Sequence, residues 1–183
     1  MCKLDTMYNY KLDSLDNELE IAEVKNLYGQ DNRINLYLHG KHFNPGLCGF
    51  ANLSAVNSAT TSDVFVLKPC GGGTLIHELG HLFGLVHTFE GDREELVDGS
   101  NCLTEGDQIC DTPADPYMVG DSMSWYIGPN CEFIYTMNLD DNGQWYQPDV
   151  GNYMSYYPCS CGFTREQYLK MVETYNTSPI KNW

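Results

Sequence analysis

Three histidines and a glutamate in one short stretch of the chain are the residues best suited to chemistry. Residues 77–87 read HELGHLFGLVH, so two histidines lie four positions apart and the glutamate follows the first. On a helix, positions i and i+4 share one face, and His77 and His81 can therefore bind one zinc ion. Glu78 lies beside them and is expected to take a proton from a water that zinc activates, as a general base.

The stretch continues to a third histidine and completes the pattern H-E-x-x-H-x-x-G-x-x-H, the extended metzincin signature. Gly84 predicts a sharp turn, because an unusual backbone conformation favours glycine, and this turn would bring His87 back to the metal. Three imidazoles leave a fourth position open, which is typical of a catalytic zinc. A purely structural role is disfavoured, because a glutamate buried in an apolar segment without a partner is costly.

A methionine and a tyrosine further along the chain extend the expected site. Residues 152–156 read NYMSY. Met154 fits the tight turn that metzincins carry beneath the metal, where it would form an apolar and adaptable floor. The phenol of Tyr156 could donate a hydrogen bond to the oxyanion of a tetrahedral intermediate. Core packing is the alternative role for Met154.

Four stretches together resemble the pappalysin branch of the metzincins. They are residues 77–91 (HELGHLFGLVHTFEG), 106–115 (GDQICDTPAD), 152–156 (NYMSY) and 163–171 (FTREQYLKM). The resemblance implies a zinc endopeptidase that cleaves proteins or peptides. It implies that His77, His81 and His87 are zinc ligands and that Glu78 is the general base. It also implies that Met154 lies in the Met-turn and that Tyr156 is a switch or oxyanion residue.

The same resemblance implies structural calcium near residues 106–115. The ligands carried over are Asp107 and Thr112, with Asp111 and Glu105 as less certain neighbours. Hard oxygen ligands of this kind suit calcium. The alternative is that these acidic residues form a solvated turn.

The cysteines predict a disulfide framework. All eight are spread along the chain without a C-x-x-C pair, which disfavours a zinc ribbon and favours an oxidising compartment. The resemblance suggests a Cys102–Cys131 pair and some partner for Cys161. A Cys48–Cys70 pair is a further hypothesis.

Three features depart from the family pattern. Residues 92–101 look like an insertion before Cys102, Cys110 is not expected within 106–115, and residues 135–149 are longer than expected. Substrate preference therefore stays open, because loops near Met154 to Cys161 should shape the primary pocket.

Charge and hydropathy exclude several classes of partner. The chain has 183 residues and a net charge of −15, which disfavours binding to nucleic acid and to anionic membranes. No stretch approaches the roughly 20 apolar residues of a membrane helix. Residues 1–30 lack the apolar run of a signal peptide, so a secreted protein would be represented here in a mature or trimmed form. No prosegment is evident, and we expect an active form.

The fold expected is α+β of the metzincin type, with a twisted mixed sheet and the active-site helix above a cleft. We expect one catalytic domain over residues 1–183. An upper subdomain would span 1–87, and an irregular lower subdomain, stapled by disulfides and calcium, would span 88–183. Predicted helices cover 13–28, the part of 74–87 that precedes Gly84, which should end the helix, and 164–175. Predicted strands cover 33–38, 49–53 and 63–68.

Finer expectations concern helix ends and faces. Thr74 is a candidate N-cap of the second helix, and Thr164 with Gln167 forms a capping-box pattern at the third. Apolar faces are predicted at Leu15, Leu19, Ala22 and Leu27, and at Tyr168, Met171, Val172 and Tyr175. His39 and His42 are expected to be surface or strand-end histidines.

Three other functions are compatible with parts of this pattern. A non-catalytic binding protein would keep the metal site but lose Glu78 or block the fourth position. A disulfide-rich adhesion domain would be indifferent to chelation. A metzincin of another branch would differ mainly in its lower subdomain and calcium sites.

Overall fold

The computed structural model describes residues 14–53 and 62–178, and within this part the chain is a mixture of helices and short strands. The elements are β1 (Ser14–Leu15), α1 (Glu18–Tyr28), β2 (Asn35–His39), β3 (Lys41–His42), β4 (Gly49–Ala51), β5 (Asp63–Leu67), α2 (Gly72–Leu82) and α3 (Arg165–Thr177). Short 3-10 helices occur at Lys68–Cys70 and Met123–Trp125. Two compact units form, one from Met1–Gly84 with Val172–Trp183 and one from Leu85–Met171. In the described residues, no helix combines the length and apolar character that crossing a membrane requires.

A three-stranded mixed sheet organises the first unit. Its strand order is β2-β5-β4, with β2 parallel and β4 antiparallel to the central β5. The predicted strands are confirmed, and β4 lies at an edge. Val64 and Val66 of β5 are buried together with Leu82 of α2, so the sheet and the motif helix share one apolar core. Strands β1 and β3 form a separate parallel pair.

The inward face of β2 carries an aromatic side chain, and its two leucines face outward. Leu36 and Leu38 are exposed, whereas Tyr37 points inward and stacks on Phe65 with ring centroids 4.4 Å apart. His39 ends this strand and is 3% exposed. His42, at the end of β3, is 6% exposed. Both histidines end strands, which is one of the two expected alternatives, and an aromatic cluster around Phe65 buries them.

Helix α1 starts later than predicted. Asn17 is its N-cap, and the side-chain oxygen accepts hydrogen bonds from the amides of Leu19 (3.0 Å) and Glu20 (3.2 Å). Val24 is the buried residue of the helix, while Leu19 is 82% exposed. The predicted apolar face is therefore wrong, because Ile21, Val24 and Tyr28 form the face that packs against the core, and Leu15 lies in β1 before the helix begins.

Helix α2 starts earlier than predicted. It begins at Gly72, with Gly71 as N-cap at φ +82°, a conformation that favours glycine. Thr74 lies inside the first turn and donates its hydroxyl to the carbonyl of Cys70 at 3.4 Å, so its expected capping role is wrong. The helix ends at Leu82, and Gly84 follows at φ +91°, which confirms the predicted turn.

The capping box of α3 is confirmed. The amide of Thr164 donates to the Gln167 side chain at 2.9 Å, and the amide of Gln167 donates to the Thr164 hydroxyl at 3.2 Å. The predicted apolar face is confirmed only for Met171, which packs partly buried against Leu85, Ile109 and Met154, and the buried residues of the helix are Gln167 and Thr174. A polar pair between Gln167 and Asn152 sets the phase of this helix. The side chains of Tyr168, Val172 and Tyr175 are exposed.

Three disulfides link described cysteines: Cys48–Cys70, Cys102–Cys110 and Cys131–Cys159. The first confirms the sequence hypothesis. The expected Cys102–Cys131 pair is wrong. Cys102, which follows the predicted insertion, pairs with the unexpected Cys110. The two cysteines are eight residues apart in sequence, so the disulfide closes a short loop. Cys161 is exposed and forms no disulfide with a described cysteine, and Cys2 lies outside the described residues.

The second unit has little regular secondary structure and is built on aromatic packing. Its core contains buried Phe89, Tyr117, Tyr126, Tyr135 and Tyr157. Arg93, from the predicted insertion, contacts two other segments around this core. Its Nε donates to the carbonyl of Pro116 at 2.7 Å, and its guanidinium lies over the Tyr135 ring at 5.4 Å.

Candidate active site

The first two histidines of the motif lie on one face of α2, as their spacing predicts. The Nε2 atoms of His77 and His81 are 3.1 Å apart, and the two rings are nearly perpendicular. Two ligands of a tetrahedral zinc at ordinary Zn–N distances are about 3.3 Å apart. The pair therefore presents two ring nitrogens at the separation that one zinc requires.

The third histidine completes the donor set. His77, His81 and His87 each offer a ring nitrogen, and these nitrogens all lie within 4.8 Å of one another. All three side chains are half-buried. The positive φ of Gly84 turns the chain between the second and third histidines. Three neutral imidazoles at this spacing fit zinc, and they fit calcium or magnesium poorly, because those ions prefer oxygen ligands.

Glu78 is a buried carboxyl next to the first histidine. It is 5% exposed and accepts a hydrogen bond from the backbone amide of Ala51 in the edge strand β4. Burial raises the pKa of Glu78 to about 7, although the amide of Ala51 acts in the opposite direction. A carboxyl with a pKa near neutrality can both accept and return a proton, which suits general base chemistry. The catalytic role of Glu78 stays a prediction.

His87 and Tyr156 lie side by side in the second unit. Their rings meet edge to face with centroids 4.8 Å apart. The His87 ring also stacks on the ring of Phe89, with centroids 4.7 Å apart. Tyr156 is 44% exposed. The structure thus brings the predicted oxyanion residue next to the predicted third ligand, and its catalytic role stays a prediction.

Met154 occupies a tight turn. Its amide donates to the Asn152 side chain at 2.9 Å, and the amide of Ser155 donates to the Asn152 carbonyl at 3.2 Å. The Met154 side chain is fully buried against Leu85 and Ile109. Its carbonyl accepts the amide of Thr88, the residue after His87, at 3.2 Å. This geometry agrees with a Met-turn, and its position beneath a metal stays a prediction.

The predicted calcium ligands Asp107 and Thr112 are buried, and a second carboxyl, Glu95, which the sequence did not indicate, lies near Asp107. Asp107 is 6% exposed, Thr112 is 3% exposed and Glu95 is 4% exposed. Within the described part of the chain, Glu95 Oε2, Asp107 Oδ2 and Thr112 Oγ1 have no partner at ordinary hydrogen-bond geometry, although the Thr112 and Gln167 side chains lie near enough to Asp107 to lower its pKa. The carboxyl of Glu95 fills the space where a side chain on Gly106 would be. Glu95 was missed because residues 92–101 carry no family motif.

Burial raises the pKa of both carboxyls. The pKa of Glu95 rises to about 8, through burial and through the charges of Asp107 and Asp115. Burial raises the pKa of Asp107 to about 7, against a hydrogen bond from the amide of Ile109. Asp111 is used differently, because this exposed carboxylate accepts the amide of Glu166 at the start of α3, at 2.9 Å. The charge of Asp107 acts on the buried Glu95, and two such carboxylates near each other without a cation are electrostatically unfavourable.

The model of the Peptidase_M43 family, described as pregnancy-associated plasma protein-A, matches residues 68–176. This match covers more than half of the chain and includes all three histidines. The chain belongs to the Peptidase_M43 family. The predicted pappalysin relationship is thereby confirmed. A second model, of the reprolysin-like M12B metallopeptidases, matches residues 3–88.

Curated relatives of this M43 chain are fungal proteins named extracellular metalloprotease. One from Colletotrichum graminicola is 33% identical over 107 residues, which is 57% of this chain and 31% of the relative. One from Pyricularia oryzae is 33% identical over 121 residues, which is 58% of this chain and 38% of the relative. The M43 chain thus spans about a third of the length of these relatives.

Solved structures resemble the M43 chain in fold. Mature mirolysin of Tannerella forsythia, solved with a cleaved peptide, matches 90% of this chain and 59% of its own, with a TM-score of 0.51 and 20% identity. Mirolysin with a compound bound gives a TM-score of 0.53, with 91% of this chain and 63% of its own covered. The expected metzincin-type α+β fold is confirmed.

Proposed function

We propose that this M43 chain is a zinc-dependent endopeptidase that hydrolyses peptide bonds in proteins or peptides outside the cell. The observation that carries the proposal is the set of three imidazole nitrogens within 4.8 Å, in a chain of a metallopeptidase family. The names of the fungal relatives support an extracellular location. The three disulfides agree with an oxidising compartment.

In this proposal His77, His81 and His87 hold the zinc. A zinc ion in such a site supplies Lewis-acid chemistry, which lowers the pKa of a water and polarises a carbonyl. Glu78 accepts the proton of the attacking water and then delivers it to the leaving amine. Its burial supports this role, because a carboxyl whose pKa lies near neutrality holds the proton between the two steps. The Tyr156 hydroxyl donates a hydrogen bond to the oxyanion of the tetrahedral intermediate.

The substrate is proposed to bind in an extended conformation along β4. This strand is paired with β5 on one side, and no described strand pairs with its other side. An edge strand offers backbone donors and acceptors to an added peptide strand. The contact between Ala51 and Glu78 supports this choice, because it links the same strand to the proposed general base.

We also propose a structural calcium ion held by Asp107, Thr112 and Glu95. Three buried oxygen atoms without a described partner support this site, since burying them without hydrogen bonds is costly. Calcium prefers oxygen ligands and would offset the repulsion between the two carboxylates. Glu105 and Asp111 are not needed for the site, and Asp111 already binds the amide of Glu166.

Hydrolysis of casein with and without 1,10-phenanthroline tests the proposed function. Cleavage that stops with the chelator and returns with added zinc is the expected result. Folded, zinc-loaded protein that leaves casein and a peptide library intact would favour a non-catalytic binding protein. Cleavage that ignores the chelator would contradict the zinc assignment.

A further inference from the structure

A single buried carboxylate, Asp115, collects three hydrogen bonds in the second unit. The Thr88 hydroxyl donates to it at 2.6 Å, the Tyr157 hydroxyl donates at 2.6 Å and the amide of Tyr117 donates at 3.1 Å. Asp115 is 4% exposed, and Thr88 and Tyr157 are equally buried. Hydrogen bonds from hydroxyl groups to a carboxylate at such distances are short and charge-assisted, which makes them strong.

The two hydroxyl donors are next in sequence to two predicted site residues. Thr88 follows His87, and Tyr157 follows Tyr156. Asp115 therefore ties together the chain segments that carry both rings, 27 residues from one donor and 42 from the other. The His87 and Tyr156 rings lie edge to face at 4.8 Å, as expected if their backbones are held in one arrangement.

A second contact fixes the same segment. The amide of Thr88 donates to the Met154 carbonyl at 3.2 Å, so Thr88 is bound through both its backbone and its side chain. Tyr117 contributes in the same way, because its amide binds Asp115 and its ring lies 5.8 Å from that of Tyr156. The carboxylate is thus at the centre of the contacts that set both rings.

We propose that Asp115 is a positioning residue that orients His87 for metal binding through Thr88 and orients Tyr156 through Tyr157. The proposal rests on the proposed zinc site. Groups that orient the ligands of a metal commonly change its affinity 10- to 100-fold when they are removed. Asp115 itself does not touch the metal or the substrate in this proposal.

Two substitutions that remove only a hydroxyl group test the proposal without emptying the carboxylate site. Thr88→Val keeps the side-chain shape, and Tyr157→Phe keeps the ring. Tyr126→Phe is the matched control. Tyr126 is fully buried in the same aromatic cluster and donates its hydroxyl to another carboxylate, Asp121, but is not adjacent to a predicted site residue.

The measurements are zinc affinity by chelator competition, kcat and KM at saturating zinc, and Tm. Thr88→Val is expected to weaken zinc affinity about tenfold or more. Tyr157→Phe is expected to lower kcat about tenfold while KM stays within twofold, because the ring of Tyr156 loses its orientation. Tyr126→Phe is expected to lower Tm alone.

Zinc affinity of Thr88→Val equal to that of the unmodified protein would overturn the proposal. An equal loss of zinc affinity in Tyr126→Phe would also overturn it, because the effect would then belong to the whole aromatic cluster. Zinc affinity is measured without substrate. If the protein failed to cleave casein, this result would still decide the role of Asp115, so the two failures are distinguishable.

Discussion

The carboxyl group of Glu78 lies against the backbone of Gly49, where no side chain could fit. A Cβ atom on Gly49 would lie 2.9 Å from both Cγ and Oε1 of Glu78, and 2.8 Å from the carbonyl oxygen of Phe65. The Phe65 carbonyl belongs to the central strand and cannot easily move. Any side chain at position 49 must therefore displace Glu78.

Gly49→Ala tests whether this contact positions a catalytic group. We expect kcat/KM to fall at least about tenfold, because small misplacements of reacting groups are costly. Zinc affinity should not change, since the three atoms nearest the added Cβ belong to Phe65 and Glu78 and none belongs to a histidine. Gly73→Ala is the control, because a Cβ there meets nothing within 4 Å. Full activity of the Gly49→Ala variant would mean that this contact does not position the catalytic group.

Gly84→Ala should release zinc by straining the turn between His81 and His87. Gly84 has φ +91°, and an alanine in such a conformation costs about 1–2 kcal/mol. Gly71→Ala introduces strain of the same kind at φ +82°, before the motif, with nothing within 4 Å of the added atom. We expect both variants to melt earlier and only Gly84→Ala to lose zinc in equilibrium dialysis. Equal zinc retention in the two variants would show that the turn at Gly84 does not determine the position of His87.

Calcium should stabilise the folded protein through Glu95, Asp107 and Thr112. At about 100 times its dissociation constant, a ligand adds about 2.7 kcal/mol, which raises Tm roughly 5–10 °C for a chain of this size. Glu95→Gln should remove most of this shift, whereas Glu105→Gln should keep it. Melting curves in calcium and in EGTA, with zinc present throughout, make the comparison. Identical curves for the unmodified protein would exclude the calcium site.

The Cys102–Cys110 disulfide closes a short loop, so it should stabilise the second unit less than a disulfide that closes a longer loop. A disulfide closing a loop of this length contributes about 2.5 kcal/mol, so the double serine variant should melt roughly 5–10 °C earlier. Glu105 lies between the two cysteines, so digestion after glutamate leaves two peptides joined by this bond. Mass spectrometry without reductant identifies the pair. A peptide linking Cys102 to Cys131 would contradict it.

The residues of the site could be predicted from the sequence more completely than the packing around them. The histidine spacing and Gly84 specify a local geometry, so the three nitrogens and the turn followed directly from a few residues. The capping box of α3 was equally local, because Thr164 and Gln167 contact each other. The strands of the sheet were recognised from their residue types.

What the sequence did not predict depends on partners distant along the chain. The buried face of α3 is set by a hydrogen bond between Gln167 and Asn152, and apolar periodicity contains no information about it. Asp115 was part of a recognised motif, but its link to Thr88 spans 27 residues. Disulfide pairing is a similar case, since spacing alone allows many connectivities.

Zinc titration of the metal-free protein tests the central claim most directly. Activity on casein should return in proportion to bound zinc and reach its maximum at one zinc per chain. Glu78→Gln should bind one zinc per chain with unchanged affinity. Its kcat should fall by about 10²- to 10⁴-fold, the usual contribution of a general base. Turnover in the metal-free protein, or full turnover in Glu78→Gln, would contradict the account.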